Sequence, residues 1–206
     1  TAAVAEVCRE LSAQDSRRRV ALRALAGVAG DLDQVAWLLA QAGDDVDLRW
    51  RALERRAELG GETSGEVATL LERDPDPDAK PRAVAVRAAR PDPAEKAAVW
   101  RELALDRSVP VGSVGPVAAA FWRPGQEEVL APYAERYLEL LPRFNRGGMI
   151  PAMRYTGRLF PLFGIEESFL DRAERAAETT APVVGKTLRE RADLVRRMLR
   201  SRSDKG

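Results

Sequence analysis

Apolar residues recur three and four positions apart along most of this chain, and no stretch keeps a sustained apolar–polar alternation. That spacing lines apolar side chains along one stripe of a helix and argues against strands. Asp15 is placed to cap a helix through Val20, Leu22, Leu25 and Val28, closed near Gly27 and Gly30. Asp31 caps the next, with Leu32, Val35, Leu38 and Leu39 on one stripe and Gly43 beyond its end. Asp47 caps a third over 48–59, stopped by Gly60 and Gly61. Ser64 precedes a short helix carrying Val67, Leu70 and Leu71, and the proline-broken segment 74–81 (DPDPDAKP) reads as a turn. A helix over 79–89 follows. Asp92 caps another, with Pro93 at its first position and Ala97, Trp100, Leu103 and Ala104 along it. The run 109–117 (VPVGSVGPV) comes closest to a strand, but its glycines and prolines break it, and helix is expected from Val117 to Trp122. The chain restarts after RPGQEE through Val129, Leu130, Tyr133, Tyr137, Leu138 and Leu141. Helices are also expected over 148–159, 166–178 and 182–200, the last with Val184, Leu188, Ala192, Val195 and Leu199 on one stripe.

Composition points the same way. Ala, Leu, Glu and Arg are plentiful, and β-branched and aromatic residues are sparse. About a dozen short helices with tight links need neighbours to hold them. Stacked helix pairs of about 35–45 residues supply such neighbours in HEAT-type arrays. The expected fold is therefore all-α, an α-solenoid-like superhelix of antiparallel helix pairs (HEAT/armadillo-like), with a compact irregular bundle as the competing arrangement. No apolar run approaches the roughly 18 residues of a membrane span, and residues 1–11 lack a signal peptide's apolar region. They open without Met, directly in helical pattern, as a segment of a longer chain would.

The candidate chemistry is narrowed by an absence: the 206 residues contain no histidine and one cysteine, Cys8. A Ser-His-Asp triad, a Cys-His dyad and a zinc site built on imidazoles or thiolates are excluded within the chain. A lone Cys fits a reducing compartment and, most simply, core packing. Asp74, Asp76 and Asp78 match the first positions of a calcium loop, but Ala79 and Ala85 stand where it needs Gly and Glu. No phosphate-cradling glycine motif is present. Trp37, Trp50, Trp100 and Trp122 fall in four helices beside Leu or Val stripes and read as core.

Charge is uneven. Residues 1–103 carry 16 Lys and Arg against 19 Asp and Glu, and residues 104–206 carry 17 against 13. The surplus gathers in the last helix and tail, at Lys186, Arg189, Arg191, Arg196, Arg197, Arg200, Arg202 and Lys205, against Glu190, Asp193 and Asp204. Cations at a helix C-terminus oppose its dipole favourably, so a solvated face accounts for them better than a nucleic-acid stripe does. In MRYTGRLF, Arg154 and Arg158 stand four apart on one helix face with Tyr155 beside them. Two adjacent guanidiniums repel unless an anion or an acidic neighbour lies between them. Arg154, Tyr155 and Arg158 are therefore a candidate carboxylate contact, with pairing to Asp or Glu as the plainer alternative.

Segments 44–60 (DDVDLRWRALERRAELG), 89–103 (ARPDPAEKAAVWREL), 123–142 (RPGQEEVLAPYAERYLELLP) and the LFP of 159–161, in that order, resemble one family. It is the C-terminal helical domain of M1-family zinc aminopeptidases, the aminopeptidase N group, in its Arg- and Ala-rich actinobacterial style. Residues 145–155 (NRGGMIPAMRY) depart from the pattern. The resemblance implies that residues 1–206 are one domain of a longer cytoplasmic enzyme, a bowl of HEAT-like helix pairs over the active-site chamber. It limits entry to short peptides and can present basic groups to the peptide's C-terminal side. Zn2+ and its HExxH ligands would belong to the parent's catalytic domain, so no catalytic or metal-binding role falls on any residue here, and no cofactor is expected. The implied partners are the N-terminal and catalytic domains of the same chain and the peptide substrate, with no membrane and no nucleic acid. The alternative is a free-standing HEAT-like adaptor that binds a protein or nucleic acid on its concave face.

Overall fold

The computed structural model describes residues 2–144 and 148–203. Every regular element among them is helical, so the fold is all-α. The chain divides into two compact units, Thr1–Val99 and Trp100–Gly206.

The first unit holds α1 (Ala2–Leu11), α2 (Asp15–Val28), α3 (Leu32–Gln41), α4 (Val46–Glu58), α5 (Ser64–Arg73), α6 (Ala79–Ala89) and α7 (Pro93–Trp100), whose last residue crosses the boundary. Helix α1 packs on α2, α3 on α4 and α5 on α6, while α2, α4 and α6 touch in succession. The spacing rule produces this core: Leu22, Leu25, Ala26, Ala29, Val35, Leu38, Leu48 and Ala52 bury together, with the free thiol of Cys8 among them. Val20 lies off that face and is 72% exposed.

Asp31 and Asp92 cap as expected, accepting the N–H of Gln34 at 2.8 Å and of Glu95 at 2.8 Å. Two other caps shift. Helix α2 is preceded by Gln14, with no side-chain cap bond, and Asp15 is its first residue, where its charge still suits the dipole. Helix α4 is capped by Asp45, which accepts from Leu48 N at 3.0 Å. Asp47 is thereby free to pair with Arg23 at 2.9 Å and Arg51 at 3.0 Å. Helix α4 ends at a turn through Gly60, whose φ of +80° suits only glycine comfortably.

The acidic turn before α6 is committed to its own protein. Trp50 Nε1 donates to Asp74 at 2.8 Å, and Arg82 Nη1 donates to the same oxygen at 3.1 Å. The indole bond, with help from Arg82, holds the Asp74 carboxyl below its ordinary range. The expected turn 74–81 is shorter in fact, since α6 already includes Pro81. Proline is tolerated in a first turn, where its missing N–H has no helical partner to lose. Lys96 of the KAAVW segment is 0% exposed, and its Nζ donates to Ala88 O at 2.6 Å at the C-terminal end of α6.

The second unit opens with a π-helical turn, Arg101–Leu105, where regular α-helix is expected through Ala104. Asp106 N–H reaches back five residues to Arg101 O at 2.8 Å. Then come α8 (Val114–Phe121), α9 (Glu127–Leu130), α10 (Pro132–Phe144), α11 (Met149–Arg158), α12 (Glu167–Thr179) and α13 (Pro182–Ser203). Helix α8 begins three residues before the expected Val117 and holds Pro116 in its first turn, for the same reason as Pro81. Pro132 starts a new helix within the run expected to be continuous. This core is aromatic. Trp100, Phe121, Trp122 and Tyr133 form one cluster, and Tyr137, Phe144, Phe160 and Phe169 another. Helix α11 packs on α8, α10 and α13, and α12 packs on α10 and α13. No helix among the described residues is long and apolar enough to cross a membrane.

Candidate functional site

Helix α11 presents two faces with different chemistry. Ala152, Tyr155, Thr156 and Leu159 turn into the core, while Arg154 and Arg158, one helical turn apart, are exposed. Tyr155, the neighbour of Arg154, is rotated about 100° round the helix from it. It is 2% exposed, stacks on Phe144 at 5.9 Å and lies 4.6 Å under the Arg107 guanidinium. The structure thus brings Arg154 and Arg158 together at the surface and places the Tyr155 ring in the core behind them. Burial pushes the Tyr155 hydroxyl above its ordinary range, against the pull of Arg107.

Arg154 and Arg158 edge a groove of about 450 Å³ between α11 and α13. From α13 come Arg191 and Arg197, with Glu190 as the single carboxylate of the lining. Met153 and Leu194 supply apolar wall. Gly157 lets the two helices approach: a Cβ there would stand 3.2 Å from Thr187 Cγ2 and 3.5 Å from Arg191 Nε. Below, Tyr137 is fully buried and donates from its hydroxyl to Thr156 O at 2.7 Å. Burial raises that hydroxyl well above the ordinary range, opposed by the positive charge of Arg191.

The arginines differ in what satisfies them. Arg154 Nη1 donates to the carbonyls of Val111 at 3.2 Å and Gly112 at 3.5 Å. Arg197 pairs with Asp193 on its own helix at 2.9 Å. Among the described residues, no carboxylate lies within ion-pair distance of Arg154, Arg158 or Arg191. Glu190 sits 3.8 Å from Lys186 instead. Arg196, on the same helix α13, meets Glu167 at 2.5 Å, Asp171 at 3.1 Å and Glu174 at 2.6 Å, all on α12.

Arg191 stands in the sequence only as part of the C-terminal basic surplus. Its position three after Leu188 and four before Val195, beside the buried stripe, is the signal that it flanks a helix contact. The Arg202 side chain, Asp204, Lys205 and, within the departing stretch 145–155, residues 145–147 lie outside the described residues. The donor set does not fit zinc: the chain has no histidine, and no group of three or more Cys, Asp or Glu side chains that could hold a metal occurs among the described residues.

A family model described as the ERAP1-like C-terminal domain matches residues 3–197. The aminopeptidase N of Streptomyces lividans is 31% identical over 140 residues, which is 67% of this chain and 16% of that protein.

Proposed function

The chain belongs to the ERAP1-like C-terminal domain family, and from that premise we propose that residues 1–206 work as the non-catalytic C-terminal helical domain of a zinc metallo-aminopeptidase. The observation that carries this reading is the family match over residues 3–197, supported by the similarity to an aminopeptidase N. In this reading the helix pairs stack in a HEAT-like manner and cap the chamber in which a catalytic domain of the same protein removes N-terminal residues from short peptides. Arg154 and Arg158 hold the peptide's C-terminal carboxylate, since planar guanidiniums grip carboxylates bidentately and keep their charge at every relevant pH. Tyr155 braces α11 from inside. Zinc, which activates water for attack on the first peptide bond, is held elsewhere in the parent. The compartment is the cytoplasm, where the lone thiol of Cys8 stays reduced.

Two measurements test this. This chain alone, supplied with zinc, is expected to hydrolyse no aminoacyl-anilide, and hydrolysis by it would overturn the reading. In the full-length parent, the double change Arg154→Gln with Arg158→Gln is expected to raise KM for peptides about tenfold. Turnover of an aminoacyl-anilide, which has no distal carboxylate, should stay unchanged. Equal effects on both substrates would remove the carboxylate role.

A further inference from the structure

The groove between α11 and α13 holds more positive charge than one carboxylate neutralises. Its lining has four arginines and one glutamate, in a chain whose totals are nearly balanced at 33 Lys and Arg against 32 Asp and Glu. Of the four, Arg197 is paired with Asp193, and Arg154 is tied to the carbonyls of Val111 and Gly112. Arg158 and Arg191 remain, one from each helix, with no hydrogen bond or ion pair to either among the described residues. Each can take a carboxylate through two parallel N–H donors. Met153 and Leu194 add apolar wall to the same groove, suited to methylene groups. The volume of about 450 Å³ lies within the range of small-ligand sites.

We propose that this groove selects peptides whose last residue is glutamate or aspartate, with the α-carboxylate and the side-chain carboxylate divided between Arg158 and Arg191. The inference rests on the reading of the groove as a peptide-carboxylate site, and adds the class of peptide it prefers. A C-terminal acidic residue is the smallest peptide end that carries two carboxylates, one for each of the two guanidiniums. Arg154, whose Nη1 is fastened to the 111–112 backbone, keeps its other donors for the α-carboxylate that it shares with Arg158.

The test uses four fluorescent peptides of one sequence, ending in Glu free acid, Gln free acid, Glu amide or Gln amide, titrated against this chain at low salt. The Glu free acid is expected to bind tightest, with loss of either carboxylate weakening binding about tenfold. Arg191→Gln or Arg158→Gln should each abolish one of the two increments and leave the other. The pair of variants keeps the test sound if one of them loses helicity by circular dichroism. Should both free acids bind equally and better than both amides, the preference for an acidic end is overturned while the carboxylate site stands. Equal binding of all four peptides, or of none, would overturn both.

Discussion

Helix α13 carries an arginine on each flank, and the two keep opposite electrostatic company. Towards α12, Arg196 is met by Glu167, Asp171 and Glu174, spaced so that three successive turns reach it. Towards α11, Arg191 faces Arg158 and Arg154, with no carboxylate within ion-pair distance among the described residues. The first flank is a closed network that holds two helices together. The second gathers like charges around one carboxylate, Glu190, an arrangement that costs stability. Equal residue types on one helix thus divide into a paired and an unpaired set among the described residues, and what divides them is the sequence of the facing helix.

The comparison can be broken most severely at the glycines that set each spacing. A Cβ at Gly185 would collide with the backbone carbonyl of Ala177 on α12, whereas one at Gly157 meets side chains alone, the Thr187 methyl group at 3.2 Å and the Arg191 guanidinium from 3.5 Å. Gly185→Ala should lower stability by about 2 kcal/mol net of its helix propensity gain, and Gly157→Ala by under about 1 kcal/mol. Urea midpoints at constant m-value would report both. Next in size, Arg196→Met should cost about 1–2 kcal/mol, because three carboxylates lose their partner. Arg191→Gln should stay within about 0.5 kcal/mol of the parent chain. Equal costs would erase the distinction between the flanks.

A smaller effect follows from titration. Hydrogen bonding to Arg196 holds the Glu174 carboxyl below its ordinary value of 4.5. A depressed folded-state value means that its contribution is complete above the ordinary range and is lost as pH falls through the folded value. Thermal midpoints taken from pH 7 down to pH 3 should therefore fall further in the parent chain than in Arg196→Met. Smallest of all is the response to salt. Raising NaCl to about 0.5 M screens exposed charges. It should stabilise the parent chain by a few tenths of a kcal/mol relative to Arg191→Gln, by weakening repulsion in the groove.

Much of the helical plan was legible because capping and proline placement are local. Helix α6 has the expected limits, and Asp31 and Asp92 cap as their spacing implies. The misses have local physics too. Asp45 and Asp47 are equally good caps on residue type, and Asp47's pairing with Arg23 and Arg51 depends on helices brought together by folding. Pro81 and Pro116 look like helix breakers until their place in a first turn is known. The π-helical turn at Arg101–Leu105 leaves no composition signal, since its residues are ordinary helix formers. At the site, Arg154 and Arg158 were readable from their spacing of four. Tyr155 shares their segment but not their face. Arg191 could not be joined to them, because the contact of α11 with α13 spans more than thirty residues of chain.

The Tyr137 hydroxyl is a clasp beneath the groove. It is sealed in the core, bonded to the carbonyl of Thr156 on α11, and its ionisation is opposed by burial and favoured by the charge of Arg191. An anion that neutralises Arg191 from the solvent side removes that favourable charge and moves the hydroxyl still further from ionising. A hydroxyl that stays protonated keeps donating to the Thr156 carbonyl, so filling the groove leaves the clasp between α10 and α11 closed.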